Sequence, residues 1–237
     1  DASGKATRSG AALAEGTAYT VDKDDTNGAF TLQFLGDINS AYEIAYQTTS
    51  KERVFADRPI KNTVVFGTET EEATRNIQQV IFKKNNGTVN YASKTIAWSL
   101  NLNYDNKPMD KVVITDTYAA NQGLEFLPDK LKIGTLKEGE DYKVEPKTSY
   151  KEGFVITFLK PISSALKIDY QTSFDSTVIA DRNLSNYSNT AKLDWEESDG
   201  TAKTNTKTGT AKIDQFSQGN GNKTGSYDAR TKEITWT

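Results

Sequence analysis

The sequence predicts an all-β protein, a tandem of Ig-like β-sandwich repeats. Three observations lead there. Apolar and polar side chains alternate with a period of two along most of the 237 residues, the pattern of strands with one buried face. Turn-forming residues punctuate that alternation at short intervals. The chain also contains itself twice, out of phase: FTLQFL at 30–35 returns as FVITFL at 154–159, AYQT at 45–48 as DYQT at 169–172, and VFADR at 54–58 as VIADR at 178–182, all at an offset of 124 residues. A tandem array suits a stalk or an extended binding surface better than an enzyme.

In chain order, EGTAYTV at 15–21 matches EGEDYKV at 138–144, and Phe30, Leu32 and Phe34 match Phe154, Ile156 and Phe158. Tyr42, Ile44 and Tyr46 match Leu166, Ile168 and Tyr170. Only 68–79 has the composition of a short helix. Ile96, Trp98, Leu100, Leu102 and Tyr104 alternate with Ala97, Ser99, Asn101 and Asn103. Turns fall at Asn27-Gly28, Asn86-Gly87, Asn106-Lys107-Pro108, Asn121-Gln122-Gly123 and Asp199-Gly200. The polar stretch 196–212 reads as a hairpin or a connector to the next unit. The end, SYDARTKEITWT at 226–237, resembles VNYASKTIAWSL at 89–100, so Trp236 matches Trp98. The expected organisation is therefore the C-terminal part of one repeat at 1–80, a complete repeat at 81–215, and the first strands of a third at 216–237. Segments 1–80 and 216–237 are candidate complementing halves, within one chain or between neighbours.

Composition excludes several chemistries. There are no cysteines and no histidines, which removes disulfides, thiolate nucleophiles, His-based triads and Cys/His metal sites. Charge is balanced, with 29 basic and 32 acidic residues for a net of −3, and no basic stripe points to nucleic acid. No apolar run approaches a membrane span.

Three polar residues fall on apolar faces. Asp116 shares one with Val112 and Ile114, Asn189 with Ala191, Leu193 and Trp195, and Lys84 with Val80 and Phe82. Each is costly to bury alone. Together they fit an intramolecular isopeptide bond. A desolvated amine is driven towards its neutral, nucleophilic form, and a carboxylic acid beside it polarises the Asn carbonyl. The Lys nitrogen attacks the Asn carbon, ammonia leaves, and no cofactor is required. The bland alternatives are a turn-initiating Asp116, a satisfied Asn189 amide and a solvated Lys84. Trp98, Trp195 and Trp236 read as sandwich core, not as sugar platforms.

The stretches NNGTVNYASKTIAWSLNLNYDNKPMDKVVITDT at 85–117, SNTAKLDW at 188–195 and NKTGSYDARTKEITWT at 222–237 resemble the collagen-adhesin family of Gram-positive cell-wall proteins, with Ig-like domains of the A-region type. In that family the Lys before a T-G turn bonds to the Asn of the last strand and an Asp in T-D-T assists. The resemblance implies Lys84, Asn189 and Asp116 in the complete unit, with Asn62 and Lys223 as partial-repeat equivalents. One departure leaves the lysine open. The third repeat reads Lys223-Thr224-Gly225, whereas the complete unit has two residues between Lys84 and Gly87. Either a one-residue bulge restores Lys84, or Lys83 serves, or the bond is missing.

The resemblance implies an extracellular, cell-wall-anchored adhesin stalk, with neighbouring repeats as partners, no cofactor and no membrane span in this segment. The alternative is a module that grips collagen or another matrix protein, which would place an exposed trench near 74–90 or 196–222. An enzyme, for example a glycan hydrolase, would need a convergent carboxylate pair that the repeat does not supply. The acidic clusters Asp22-Asp24-Asp25, Glu138-Glu140-Asp141 and Glu196-Glu197-Asp199 lack calcium-loop spacing and read as solvated loops. The N-x-S/T sequons at Asn86, Asn183, Asn186 and Asn222 match chance expectation.

Overall fold

A computed structural model describes residues 10, 12–175, 185–213 and 223–237. The VIADR motif, Asn183 and Asn222 lie outside them. The chain divides into two compact units, one ending at Glu52 and one beginning at Arg53. Strands dominate, and the helical content of the described residues is one short 3-10 turn at Ala120–Gln122. No helix among them is long and apolar enough to cross a membrane.

The first unit carries the hairpin β1 (Tyr19–Asp24) and β2 (Ala29–Phe34). The second opens with the hairpin β3 (Arg58–Phe66) and β4 (Glu69–Ile77). Stretch 68–79 is thus mostly strand: residues with helical propensity pair across a tight turn, and tertiary context overrides the weak local preference.

The sandwich follows. β5 (Phe82–Lys84), β6 (Thr88–Asn90), β7 (Thr95–Leu102), β8 (Asp110–Thr117), β9 (Leu124–Ile133), β10 (Tyr142–Pro146), β11 (Gly153–Phe158), β12 (Leu166–Phe174), β13 (Asn186–Glu196) and β14 (Ala202–Lys212) form two sheets. One has the order β10-β11-β8-β13-β14, the other β5-β7-β12-β9 with β6 also on β7. Their inner faces share one core, including Trp98, Ile114, Phe126, Phe154, Tyr170 and Leu193. Stacked rings of Phe126 and Phe154, 3.8 Å apart, join β9 to β11. Stretch 196–212 is a hairpin arm: β13 and β14 pair along eleven positions.

The internal repeat is visible in the backbone. Gly16 N–H donates to Tyr19 O at 2.7 Å and Gly139 N–H to Tyr142 O at 2.8 Å, and Tyr19 opposes Phe34 as Tyr142 opposes Phe158. The likeness stops at Tyr42–Tyr46. Its counterpart β12 is flanked by β7 and β9, whereas 42–46 forms no strand and exposes Tyr42, Ile44 and Tyr46. An extended segment becomes a strand only when neighbours satisfy its backbone groups.

Other alternation readings also change. β15 (Gly225–Asp228) and β16 (Glu233–Trp236) form a separate two-stranded sheet on which Trp236 is exposed, while Trp98 and Trp195 are core. β3–β4 likewise forms a two-stranded sheet of its own. Asn103 is buried and Tyr104 exposed, the reverse of the expected face, because Asn103 takes a left-handed backbone (φ 58) that ends the alternation. Val80 is exposed and Ile81 buried, since regular pairing with β7 begins only at Phe82.

Candidate functional site

Lys84 ends β5, opposite Leu100 on β7. Thr88 on β6 opposes Ala97. Three residues, 85–87, therefore face two, 98–99: a one-residue bulge. The bulge is held on both sides. Asn85 N–H donates to Ser99 O at 3.0 Å, Gly87 N–H to Thr210 O at 2.9 Å, and Thr210 N–H to Asn86 Oδ1 at 3.1 Å. In the terminal hairpin Gly225 opposes Trp236 with no extra residue. Lys223 Nζ lies 4.8 Å from the Trp236 ring centre, as Lys84 Nζ lies 5.4 Å from that of Trp98. The bulge thus puts Lys84 where Lys223 stands, and Lys83 is exposed.

Asp116 lies on the central strand β8, between Phe154 of β11 and Ala191 of β13. β11 approaches closely because Gly153 (φ 138) has no Cβ; one there would overlap the Asp116 carbonyl oxygen. Asn189 lies on β13, the penultimate strand and not the last, opposite Gly209 on β14. A Cβ at Gly209 would stand 2.6 Å from Asn85 O and 3.3 Å from Lys84 Cγ. Its absence lets the end of β5 pack against β14.

The three side chains meet at the Tyr170 hydroxyl. Lys84 Nζ donates to Asp116 Oδ2 at 2.8 Å and also to the Tyr170 hydroxyl. Tyr170 donates to Asp116 Oδ2 at 2.6 Å and accepts from Asn189 Nδ2 at 3.0 Å. The Lys84 and Asp116 side chains are 0% exposed, so the solvated lysine does not describe Lys84, and the hydrogen bonds to Asp116 come from side chains and not from a turn's backbone. Phe154 and Phe126 pack edge-on to Tyr170 at 5.1 and 6.1 Å.

Burial holds the Lys84 amine below its ordinary value, with Asp116 opposing that shift. Burial, then Asp116, pushes the Tyr170 hydroxyl well above its ordinary range, so it stays a donor. Two buried oxygens, Asp116 Oδ1 and Asn189 Oδ1, have no hydrogen-bond partner among the described residues. Unmatched acceptors in a core are costly.

Asn62 lies on β3, whose residues are all exposed. The acidic loops serve local structure. Asp24 caps the Thr26–Asn27 turn, Asp141 takes Lys160 at 2.7 Å, and Glu196 pairs with Lys111 at 2.9 Å. No group of three potential metal ligands occurs among the described residues. Sequence reasoning missed Tyr170, Gly153 and Gly209. Only Tyr170 left a signal: Tyr46 occupies its place in AYQT.

The family model described as collagen binding domain matches residues 78–204, more than half of the chain. Among solved structures, the chain resembles the collagen-binding subdomain of the Enterococcus faecalis surface protein ACE (14% identity, TM-score 0.43, covering 56% of this chain and 97% of that one). It also resembles the collagen-binding domain of a Staphylococcus aureus adhesin (17%, 0.41, 57% and 100%) and the full-length major pilin SpaD of Corynebacterium diphtheriae (13%, 0.40, 58% and 35%). A search of curated proteins returns no match. On the match across 78–204, the chain belongs to the collagen-binding-domain family.

Proposed function

We propose that the 81–215 sandwich is an adhesive stalk repeat of a bacterial surface protein, locked by an isopeptide bond between Lys84 and Asn189. The observation that carries this reading is the dry cluster around Tyr170 with its two unpartnered oxygens. Lys84 passes a proton to Asp116, leaving a neutral amine beside a carboxylic acid. That acid donates to Asn189 Oδ1 and polarises the amide. Lys84 Nζ attacks Asn189 Cγ, a C–N bond forms, and the original C–N bond breaks. The proton reaches the leaving nitrogen through the Tyr170 hydroxyl. Lysine ammonium plus carboxamide thus gives a secondary amide plus ammonium, with no cofactor.

The bond would join β5 in one sheet to β13 in the other, so pulling could not separate the sheets without breaking a covalent bond. Extracellular, wall-anchored placement and neighbouring repeats as partners belong to the same reading. Intact mass and tryptic mapping test it. One ammonia missing, with a branched peptide joining the Lys84 and Asn189 regions, supports it; an unmodified mass refutes it.

A second reading, binding of a collagen-like matrix protein, is favoured by the family itself. A shallow groove lined by Lys111, Phe158, Leu159, Pro161, Glu196 and Glu197 overlaps the 196–222 stretch where a trench was expected. Surface plasmon resonance on immobilised collagen tests it: saturable binding that Leu159→Asp abolishes supports this role, and none detectable removes it.

A further inference from the structure

Residues 53–57 precede the β3–β4 hairpin and yet are built into the sandwich that follows it. Alternate side chains do this work. Arg53 Nε and Nη2 donate to the two oxygens of Asp105 at 2.6 and 2.9 Å, Nη1 donates to Glu197 Oε1 at 2.8 Å, and Nη2 also donates to Asn103 Oδ1 at 2.9 Å. The guanidinium carbon lies 5.9 Å from the Trp195 ring centre, and Trp195 Nε1 donates to the same Glu197 oxygen. Two residues on, the Phe55 ring takes Lys203 Nζ at 4.5 Å. After two more, Asp57 Oδ1 accepts from Gln79 N–H at 2.8 Å, tying together the residues that flank the hairpin.

This is a shaped socket, not a surface ion pair. The Arg53 side chain is 6% exposed, Asp105 20% and Glu197 18%. A bidentate, poorly hydrated guanidinium fixes orientation, where an exposed pair adds little. The socket wall is preset. Asn103 is fully buried, and its Nδ2 donates to Lys107 O at 2.9 Å while Oδ1 accepts from Lys107 N–H at 3.2 Å, holding the β7–β8 loop with Asp105 facing the arginine. Two carboxylates that would repel each other are joined by one cation. By the 124-residue sequence repeat VFADR matches VIADR at 178–182, which reads Arg53 with the preceding repeat and Asn103, Trp195 and Glu197 with the next.

We propose that this socket is an inter-repeat joint: Arg53, with Phe55 and Asp57, fixes the β3–β4 hairpin of one repeat rigidly to the sandwich of the next. The partner it fits is an arginine-bearing extended segment of the neighbouring repeat. A joint of this kind carries orientation from repeat to repeat, as a stiff array requires. It stands independently of any bond at Lys84.

The test uses the full chain. Spin labels on Glu71→Cys in the hairpin and Lys151→Cys in the sandwich report a distance distribution, which the absence of native cysteine makes clean. The expected result is a narrow distribution that Arg53→Ala broadens, with backbone amides at 103–107 exchanging about ten- to a hundredfold faster, the loss that charge-assisted hydrogen bonds of this type imply. Arg53→Lys restores little, because an ammonium cannot bridge both carboxylates and the amide. Glu197→Gln broadens the distribution to a lesser degree, leaving Asp105 in place. Equal widths for wild type and Arg53→Ala, or unchanged exchange at 103–107, would overturn the joint.

Discussion

Replacing Gly209 by alanine tests the spacing on which the proposed bond depends. The new Cβ would stand 2.6 Å from Asn85 O and 3.3 Å from Lys84 Cγ. Lys84 Cγ has room to adjust; a backbone carbonyl inside a hydrogen-bonded bulge does not. Relief to ordinary contact, from 2.6 to 3.4 Å, moves β5 from β14 by about 0.8 Å. Overpacking of this kind costs about 1–3 kcal/mol, or about 4–12 °C in Tm for a domain of this size. The same movement carries Lys84 away from Asn189 on β13, which faces Gly209 on β14. Misplacement by an ångström can slow a positioned reaction about a hundredfold.

Two levels follow for one variant. A chain that still links loses only the packing term. A chain that stays unlinked also loses the constraint on a loop of roughly 100 residues, worth about 4.7 kcal/mol in the chain-entropy account of cross-links. The assay is intact mass against time after refolding, with a melting curve on the same samples. A Gly209→Ala chain that links at the wild-type rate and melts at the wild-type temperature would refute the claim that the missing Cβ sets the approach of Lys84.

Tyr170→Phe removes the acceptor of Asn189 Nδ2 and a donor to Asp116; we expect slower linkage by mass spectrometry and about 1–3 kcal/mol lower stability in urea, because buried polar groups lose partners. Gly153→Ala forces a Cβ into the Asp116 carbonyl at φ 138, and circular dichroism should show loss of the native sheet signal, not a modest shift. In Asn189→Ala, which keeps the amine unlinked, burial holds Lys84 below 10.5 when folded. The unfolded chain then binds more protons in that interval, so stability rises with pH through the folded value until 10.5; urea midpoints across alkaline pH should show this slope, and Lys84→Met/Asn189→Ala should lack it.

The strands were legible because a half-buried strand has period two whatever its partners. Trp98 and Tyr170 both fall where alternation places them. The same property makes alternation blind to partnership. Tyr42, Ile44 and Tyr46 carry the pattern of β12 but lie exposed, since a strand pattern does not show whether β7- and β9-like neighbours are present; Trp236 repeats that lesson. The role of Tyr170 is not legible in the sequence, because an aromatic on an apolar face gives no hint of where its hydroxyl points. Gly209 was hidden in a Thr- and Lys-rich hairpin arm, where a glycine has many uses.

The lysine shows most sharply what one-dimensional reading lacks. Counting back from Trp98 places Asn85 at the Lys223 position, because counting assumes that both strands of a pair advance together. In this fold they do not. The extra residue is absorbed at 85–87 by hydrogen bonds to Thr210 on β14, far along the chain, and the bulge returns Lys84 to the inner face. The face argument selects Lys84, the lysine that the structure buries, because desolvation acts on the side chain's final surroundings and not on sequence spacing. A deletion of Asn85 that removes the bulge should therefore leave Lys84 over the Trp98 ring, in the Lys223 arrangement, and preserve linkage. Placing an alanine at Gly209 should disturb linkage while leaving the spacing between Lys84 and Trp98 untouched. Linkage lost on deletion of Asn85 would mean that the bulge itself, and not the face it restores, positions the amine.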